Sequence, residues 1–164
     1  LTEFTLLENG ILAGADLRCR AAIGRAGRTA EKREGDGATP AGMLRLTRVL
    51  YRAGHVKPPA CSVPVEPIAP DDGWCDDPAD RLYNRMVKTP YAGRHEVLWR
   101  QDAIYDIIGV LDWNMQPIIP HRGSAIFLHV ATPDYQPTAG CIALSLHDLT
   151  ACLAASLAAI RVVA

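Results

Sequence analysis

Alternation of apolar and polar residues with period two, the signature of a half-buried strand, recurs from one end of the chain to the other. Phe4 to Glu8 and Ile11 to Ala13 flank Asn9-Gly10, a pair suited to a two-residue hairpin turn. Leu17 to Ile23 reads as the next strand, and Met43 to Tyr51 as another with Leu44, Leu46 and Leu50 on one side. The Gly-rich stretch 24–42 between them predicts a long loop or flap, and the density of proline, aspartate and tryptophan from Lys57 to Pro90 predicts irregular structure. Further strands are expected at Tyr105 to Leu111, Ile126 to Ala131 and Gly140 to Leu144. Ser145, with Asp148 three positions on, reads as a helix N-cap. Leu146, Leu149, Leu153, Leu157 and Ile160 form an apolar stripe behind it, and Arg161 to Val163 is expected as a final short strand. Strands without βαβ alternation favour a mainly β sandwich or barrel with one C-terminal helix and long loops. No internal repeat divides the chain, so residues 1–164 are expected to form a single domain.

Composition narrows the function class. At 164 residues, 49% hydrophobic and 21% charged, the chain is long enough to bury a substantial core. A formal net charge of -1 gives no sign of a polyanion-binding surface. Arg18, Arg20, Arg25, Arg28, Lys32 and Arg33 crowd one third of the chain, a run expected to be a solvated face rather than a nucleic-acid site. The apolar tail from Leu149 to Ala164 is short and interrupted by Arg161, which argues against a membrane span. Nothing in the pattern specifies an oligomeric state.

Five cysteines, an odd number without paired zinc-ligand spacing, do not read as a disulfide framework. Cys19, in a strand, and Cys152, on an apolar helix face, are expected to be buried small hydrophobes, which fits a reducing compartment slightly better. The chain starts at Leu1 without a charged, apolar and small-residue leader. A complete chain of this kind is expected in the cytoplasm, and one that has lost a leader in the periplasm or cell envelope. The acidic group Cys75, Asp76, Asp77 and Asp80 is expected to cap turns and pair with Arg81 or Arg85 rather than hold a cation. Trp74, Trp99 and Trp113 are expected to pack, or to wall a peptide groove if they lie near one.

The chemistry concentrates in two segments. In Ile126-Phe127-Leu128-His129-Val130-Ala131 the aliphatic positions 126, 128 and 130 share one face, and alternation turns His129 to the other. In the segment from Thr138 to Ser145, Ile142 and Leu144 take the core face and Cys141 the opposite one. A neighbouring imidazole takes the proton of a thiol and stabilises the thiolate, the actual nucleophile. Gly140, lacking a side chain, lets the backbone approach a substrate carbonyl, and the Cys141 amide can donate to the developing oxyanion. Acyl transfer is the expected reaction class.

At these residues the sequence resembles the catalytic domain of the L,D-transpeptidases (YkuD type), whose signature is a histidine followed by [Ser/Thr]-His-Gly-Cys; the matching residues are His129, Thr138, Gly140 and Cys141. Lys32-Arg33-Glu34-Gly35-Asp36-Gly37-Ala38-Thr39-Pro40-Ala41-Gly42 is similar to the family's Thr-Pro-x-Gly segment. Asp71 to Pro78 and His95-Glu96-Val97-Leu98-Trp99 are similar to a short, single-domain branch. The resemblance spans about Ile23 to Ser145 and implies the same mainly β fold. It also implies a peptidoglycan stem peptide as substrate, attack by Cys141 on the carbonyl of the L-centre of an L,D-peptide bond, and His129 as base and later acid. The amide of Cys141, with that of Gly140, is implied as oxyanion donor, Thr138 as the residue that shapes the turn and borders the substrate, and no metal or organic cofactor.

The chain also departs from the pattern. Ala139 stands where most members carry a second histidine, Ala143 where an arginine often follows the cysteine, and only eight residues separate His129 from Thr138. If these alanines remove the usual polar partners, a basic side chain from elsewhere must grip the substrate's carboxylates. Arg122 is the first expectation, with Arg94 or His95 behind it. Passing the acyl group to an amine makes an L,D-transpeptidase, and passing it to water makes an L,D-carboxypeptidase of peptidoglycan recycling. A catalytically silent peptidoglycan-binding module is the reading that Ala139 and Ala143 motivate and the retained cysteine opposes.

Overall fold

The computed structural model describes residues 1–164. Its strands are β1 (Thr2–Leu6), β2 (Ile11–Gly14), β3 (Leu17–Arg20), β4 (Arg28–Thr29), β5 (Thr39–Pro40), β6 (Gly42–Tyr51) and β7 (Val65–Pro67) in the first half. They continue as β8 (Asp72–Cys75), β9 (Met86–Lys88), β10 (His95–Val97), β11 (Ile107–Leu111), β12 (Phe127–Val130) and β13 (Ile142–Leu144), then helix α1 (Leu146–Ala154) and β14 (Leu157–Val162). The main sheet runs β13-β12-β11-β6-β14-β1-β2-β3, with β7 also paired to β6. Its two ends meet: just past β3, Ala22 N–H donates to Ala143 O at 2.8 Å and Ala143 N–H to Ala22 O at 2.9 Å. The sheet therefore curls into a nearly closed barrel, which satisfies the edge groups that an open sheet would leave bare. The mainly β architecture with one helix is as the alternation predicts.

Parity builds two cores. Ile126, Leu128, Val130, Ile142 and Leu144 point into the barrel with Phe4, Leu6, Leu12, Leu44 and Ile160. Phe127 points the other way, into a second cluster with Trp74, Leu98, Tyr105 and Ile108 beneath the loops. At about 25 cal/mol per Å² of buried apolar surface, both faces of β12 stabilise the fold. The histidine face of β12 is thus covered by protein rather than open to solvent.

Several expectations need correction. Leu50 does not share a face with Leu44 and Leu46: Val110 pairs with Arg48 but Leu111 with Leu46, so Thr47 is an extra residue in a bulge. Beyond it the parity flips, sending Val49 into the barrel and Leu50 to the second cluster. The first hairpin turn is longer than two residues: Gly10 N–H donates to Leu7 O, Leu7 N–H to Ile11 O, and Gly10 alone has positive φ, at 81°. The stretch 57–90 is not wholly irregular, since β8 and β9 join β10 in a small sheet whose central strand is fully buried. The helical stripe ends at Leu153, because Ser156 turns at φ 62° and Leu157 and Ile160 belong to a six-residue strand between β1 and β6. Leu146 is exposed. The expected Ser145 cap is present, its side chain accepting from Asp148 N–H at 3.1 Å.

Cys19 and Cys152 are buried with their sulfurs 3.6 Å apart, and all five cysteines are free. The basic run is not uniformly solvated. Arg28 donates to the carbonyls of Leu6, Leu7 and Val163, and Lys32 is 4% exposed. No helix is long and apolar enough to cross a membrane.

Candidate active site

The barrel's closing seam sets up the site. Beyond the Ala22–Ala143 pair, Thr138 N–H donates to Ile23 O and Arg25 N–H to Thr138 O, both at 2.9 Å, so residues 22–25 hold the loop that carries Cys141. Two threonine hydroxyls lock that loop. Thr138 Oγ1 donates to Cys141 O at 2.6 Å and accepts from Gly140 N–H at 3.1 Å. Thr39, fully buried, donates to Gly140 O at 2.8 Å and accepts from Gly24 N–H at 2.9 Å. At Gly140 φ is 145° and a Cβ would lie 2.8 Å from Ala38 O, so only glycine fits.

β12 and β13 are parallel neighbours, with His129 opposite Ala143. His129 and Cys141 both line one cavity of about 300 Å³, together with Thr138, Gly140, Lys32, Glu34, Glu96 and Tyr105. The imidazole Nδ1 lies 3.0 Å from Val130 O. A carbonyl only accepts, so this contact places the proton on Nδ1 and leaves Nε2 as the free acceptor of the neutral ring. Tyr105 stacks edge-on against the imidazole, centroids 5.4 Å apart, and its hydroxyl donates to Glu96. The thiol donates to Ala125 O at 3.2 Å and accepts from Phe127 N–H at 3.3 Å rather than bonding to the imidazole. The Cys141 N–H has no protein acceptor. It is a ready oxyanion donor, whereas the Gly140 amide implied beside it is occupied by Thr138.

Electrostatics fix the resting protonation. Burial pushes the Cys141 thiol up to about 12, helped by the Glu96 carboxylate and opposed by the Phe127 N–H and the Lys32 ammonium. Burial lowers the His129 pKa, against the favourable pull of Val130 O. Glu96 is itself raised, by burial first, despite the Tyr105 hydrogen bond. The resting pair is a thiol and a neutral imidazole, not a thiolate and an imidazolium. Replacing Glu96 by Gln removes the like charge that disfavours the thiolate, so alkylation of Cys141 by iodoacetamide at neutral pH should accelerate several-fold. An unchanged or slower rate would show that this carboxylate does not act on the sulfur.

The other expected site residues are not brought together. Arg122 is exposed and lines a separate cleft with Glu31, Lys32 and Arg33. His95 bonds through Nδ1 to Gly93 O at 2.8 Å and packs near Tyr91. Arg94 is exposed and pairs with Asp76. None of the three lines the cavity. The tryptophans do not wall it either: Trp74 packs edge-on against Phe127, Trp99 lies under Arg52, and Trp113 donates to Arg122 O. Asp77 and Asp80 accept the amides of Ala79 and Leu82, as turn-capping residues do, while Asp76 pairs with Arg94 rather than Arg81 or Arg85.

Three contributors escape a reading of strand parity. Thr39 sits in the Thr-Pro-x-Gly segment, which signalled similarity but no role. Asn84 holds Ala125 N–H at 3.0 Å and the Trp74 indole at 2.9 Å, and so presents the Ala125 carbonyl to the thiol; no local pattern marks it. Lys32 lies in a basic run that reads as a solvated face, and nothing in the run marks it as buried.

A nearly closed barrel that brings a thiol and an imidazole into one cavity at its seam defines a β domain with a cysteine–histidine cavity. The family model of the L,D-transpeptidase catalytic domain, YkuD, matches residues 2–155, and the chain belongs to that family. Its members generally act as enzymes on peptidoglycan. Neither a curated protein nor a solved structure matches the chain.

Proposed function

We propose that the protein is a cysteine-dependent acyl-transfer enzyme acting on peptidoglycan stem peptides, with Cys141 as nucleophile and His129 as general base. What carries the reading is one cavity holding a thiol, an imidazole with Nε2 free, and the unbonded N–H of Cys141. Because the thiol rests protonated, the sulfur is activated only as it attacks. His129 Nε2 takes the proton while the S–C bond forms, and the carbonyl oxygen gains charge against the Cys141 N–H. The C–N bond then breaks, the departing amine of the terminal D-amino acid takes the proton from His129, and a thioester remains. An incoming amine or water, deprotonated by His129, attacks the thioester and returns the thiol.

A depressed thiol pKa is not required, since base and nucleophile act together when the carbonyl is in place. Product analysis is the decisive test. Mass spectrometry after incubation with a purified tetrapeptide, with and without an added D-amino acid, should show loss of the terminal residue and its exchange for the added one. Loss without exchange would assign an L,D-carboxypeptidase. Neither product would leave a binding module.

A further inference from the structure

Lys32 is the one charged side chain in the cavity that is almost wholly withdrawn from solvent, with a side-chain exposure of 3%. Its stem packs on Gly123, where a Cβ would come within 3.0 Å of Cγ and Cε. Its ammonium reaches Asp36 Oδ1 at 2.5 Å, and Asp36 is held in turn by the amides of Arg33 and Ala38 at 2.9 Å. An ammonium carries three donors, and Asp36 takes one. The charge lies against the nucleophile loop: a Cβ at Gly140 would be 3.3 Å from Nζ. Burying a cation with donors to spare is costly, and the cost is offset when an anion arrives.

The position suggests which anion. Nζ sits one residue before the nucleophile, and consecutive Cα atoms are about 3.8 Å apart. In a peptide cleaved at its last bond, the terminal carboxylate lies one residue beyond the scissile carbonyl, a step of the same length. The remaining charged side chains of the cavity are Glu34, Asp76 and Glu96, which repel a carboxylate, and Arg25, which is exposed. The oxyanion already has the free Cys141 N–H as donor. Resting on the acyl-transfer reading above, we propose that Lys32 binds the terminal carboxylate of the departing D-amino acid. It is the cation that Ala139 and Ala143 fail to supply, and it makes the enzyme selective for peptides ending in a free acid.

The test compares a tetrapeptide acid with its C-terminal carboxamide as acyl donors. Wild type should favour the acid in kcat/KM by about 10- to 100-fold, the worth of a charge-assisted hydrogen bond. Lys32→Met, which keeps the packing on Gly123, should slow the acid far more than the amide, so that the preference collapses. Lys32→Arg should retain part of it. Equal slowing of both peptides by Lys32→Met would overturn the assignment and place the ammonium at the reacting centre. If Lys32→Met fails to fold, wild type and Lys32→Arg decide: wild-type acylation without preference for the acid overturns the assignment. Absence of Cys141 acylation by either peptide in wild type overturns the acyl-transfer reading itself, and this assignment with it.

Discussion

The Cys141→Ala protein should fold normally and make no product. The sulfur is held by Ala125 O and Phe127 N–H at the edge of the second apolar cluster, so its removal costs about 1 kcal/mol, the usual scale of a single substitution. The Thr39 and Thr138 hydroxyls that shape the loop bond to its backbone and survive the change. Without sulfur no thioester forms, and turnover of the tetrapeptide should fall to background while the melting temperature moves by a few degrees. Replacing Cys19, Cys61, Cys75 or Cys152 should leave the chemistry in place. Near-normal turnover by Cys141→Ala, measured by product mass spectrometry, would end the proposed mechanism.

His129→Ala should slow acylation by about two to four orders of magnitude, the contribution of a positioned general base. A thiol pushed up to about 12 cannot ionise unaided at neutral pH, so the loss should belong to the acylation step rather than to peptide binding. The wild-type pH profile follows from the same two shifts. Base catalysis needs neutral imidazole, and burial lowers the His129 pKa below its ordinary value of 6.5. Activity should therefore fall only as the pH drops below 6.5, with no loss from thiol ionisation between pH 7 and 9. A fall centred above pH 7, or a His129→Ala effect confined to KM, would show that this ring is not the base.

Parity made the candidate site legible. Alternation over 126–130 and 141–144 put His129 and Cys141 on the same side of two neighbouring strands, and the structure places both in one cavity. What alternation does not report is what covers a face. The side away from the barrel core is roofed by Trp74, Tyr105 and Phe127, so the imidazole is buried and the thiol partly so, and the pair rests as thiol and neutral imidazole. A bulge defeats parity in the same way: Thr47 adds one residue to β6 and sends Leu50 to the opposite core, with no residue type to announce it. The final strand expected at Arg161 to Val163 begins earlier, at Leu157, a start hidden because Leu157 and Ile160 continue a helical spacing while the positive φ at Ser156 that ends the helix carries no glycine signal.

Cations were harder to read than strands. Arg122 stands just before the histidine strand, yet nearness along the chain does not turn a side chain into a cavity. Lys32 comes from a loop about a hundred residues before the nucleophile and reaches it only because the seam folds residues 24–42 back onto the Thr138–Cys141 turn. A run of basic residues in sequence says nothing about which one is withdrawn from water, and here Lys32 and Arg28 are tied into the protein while Arg25 and Arg33 face solvent.

The most direct test of the proposed mechanism is the intact mass of the protein after brief mixing with the tetrapeptide. The expected result is a covalent adduct whose added mass equals the tetrapeptide minus its terminal D-amino acid. Proteolytic mapping should locate it on Cys141, and it should be absent from Cys141→Ala and form slowly on His129→Ala. Processed peptide with no adduct on Cys141 at any time, or with the adduct on another cysteine, would contradict the assignment of Cys141 as nucleophile.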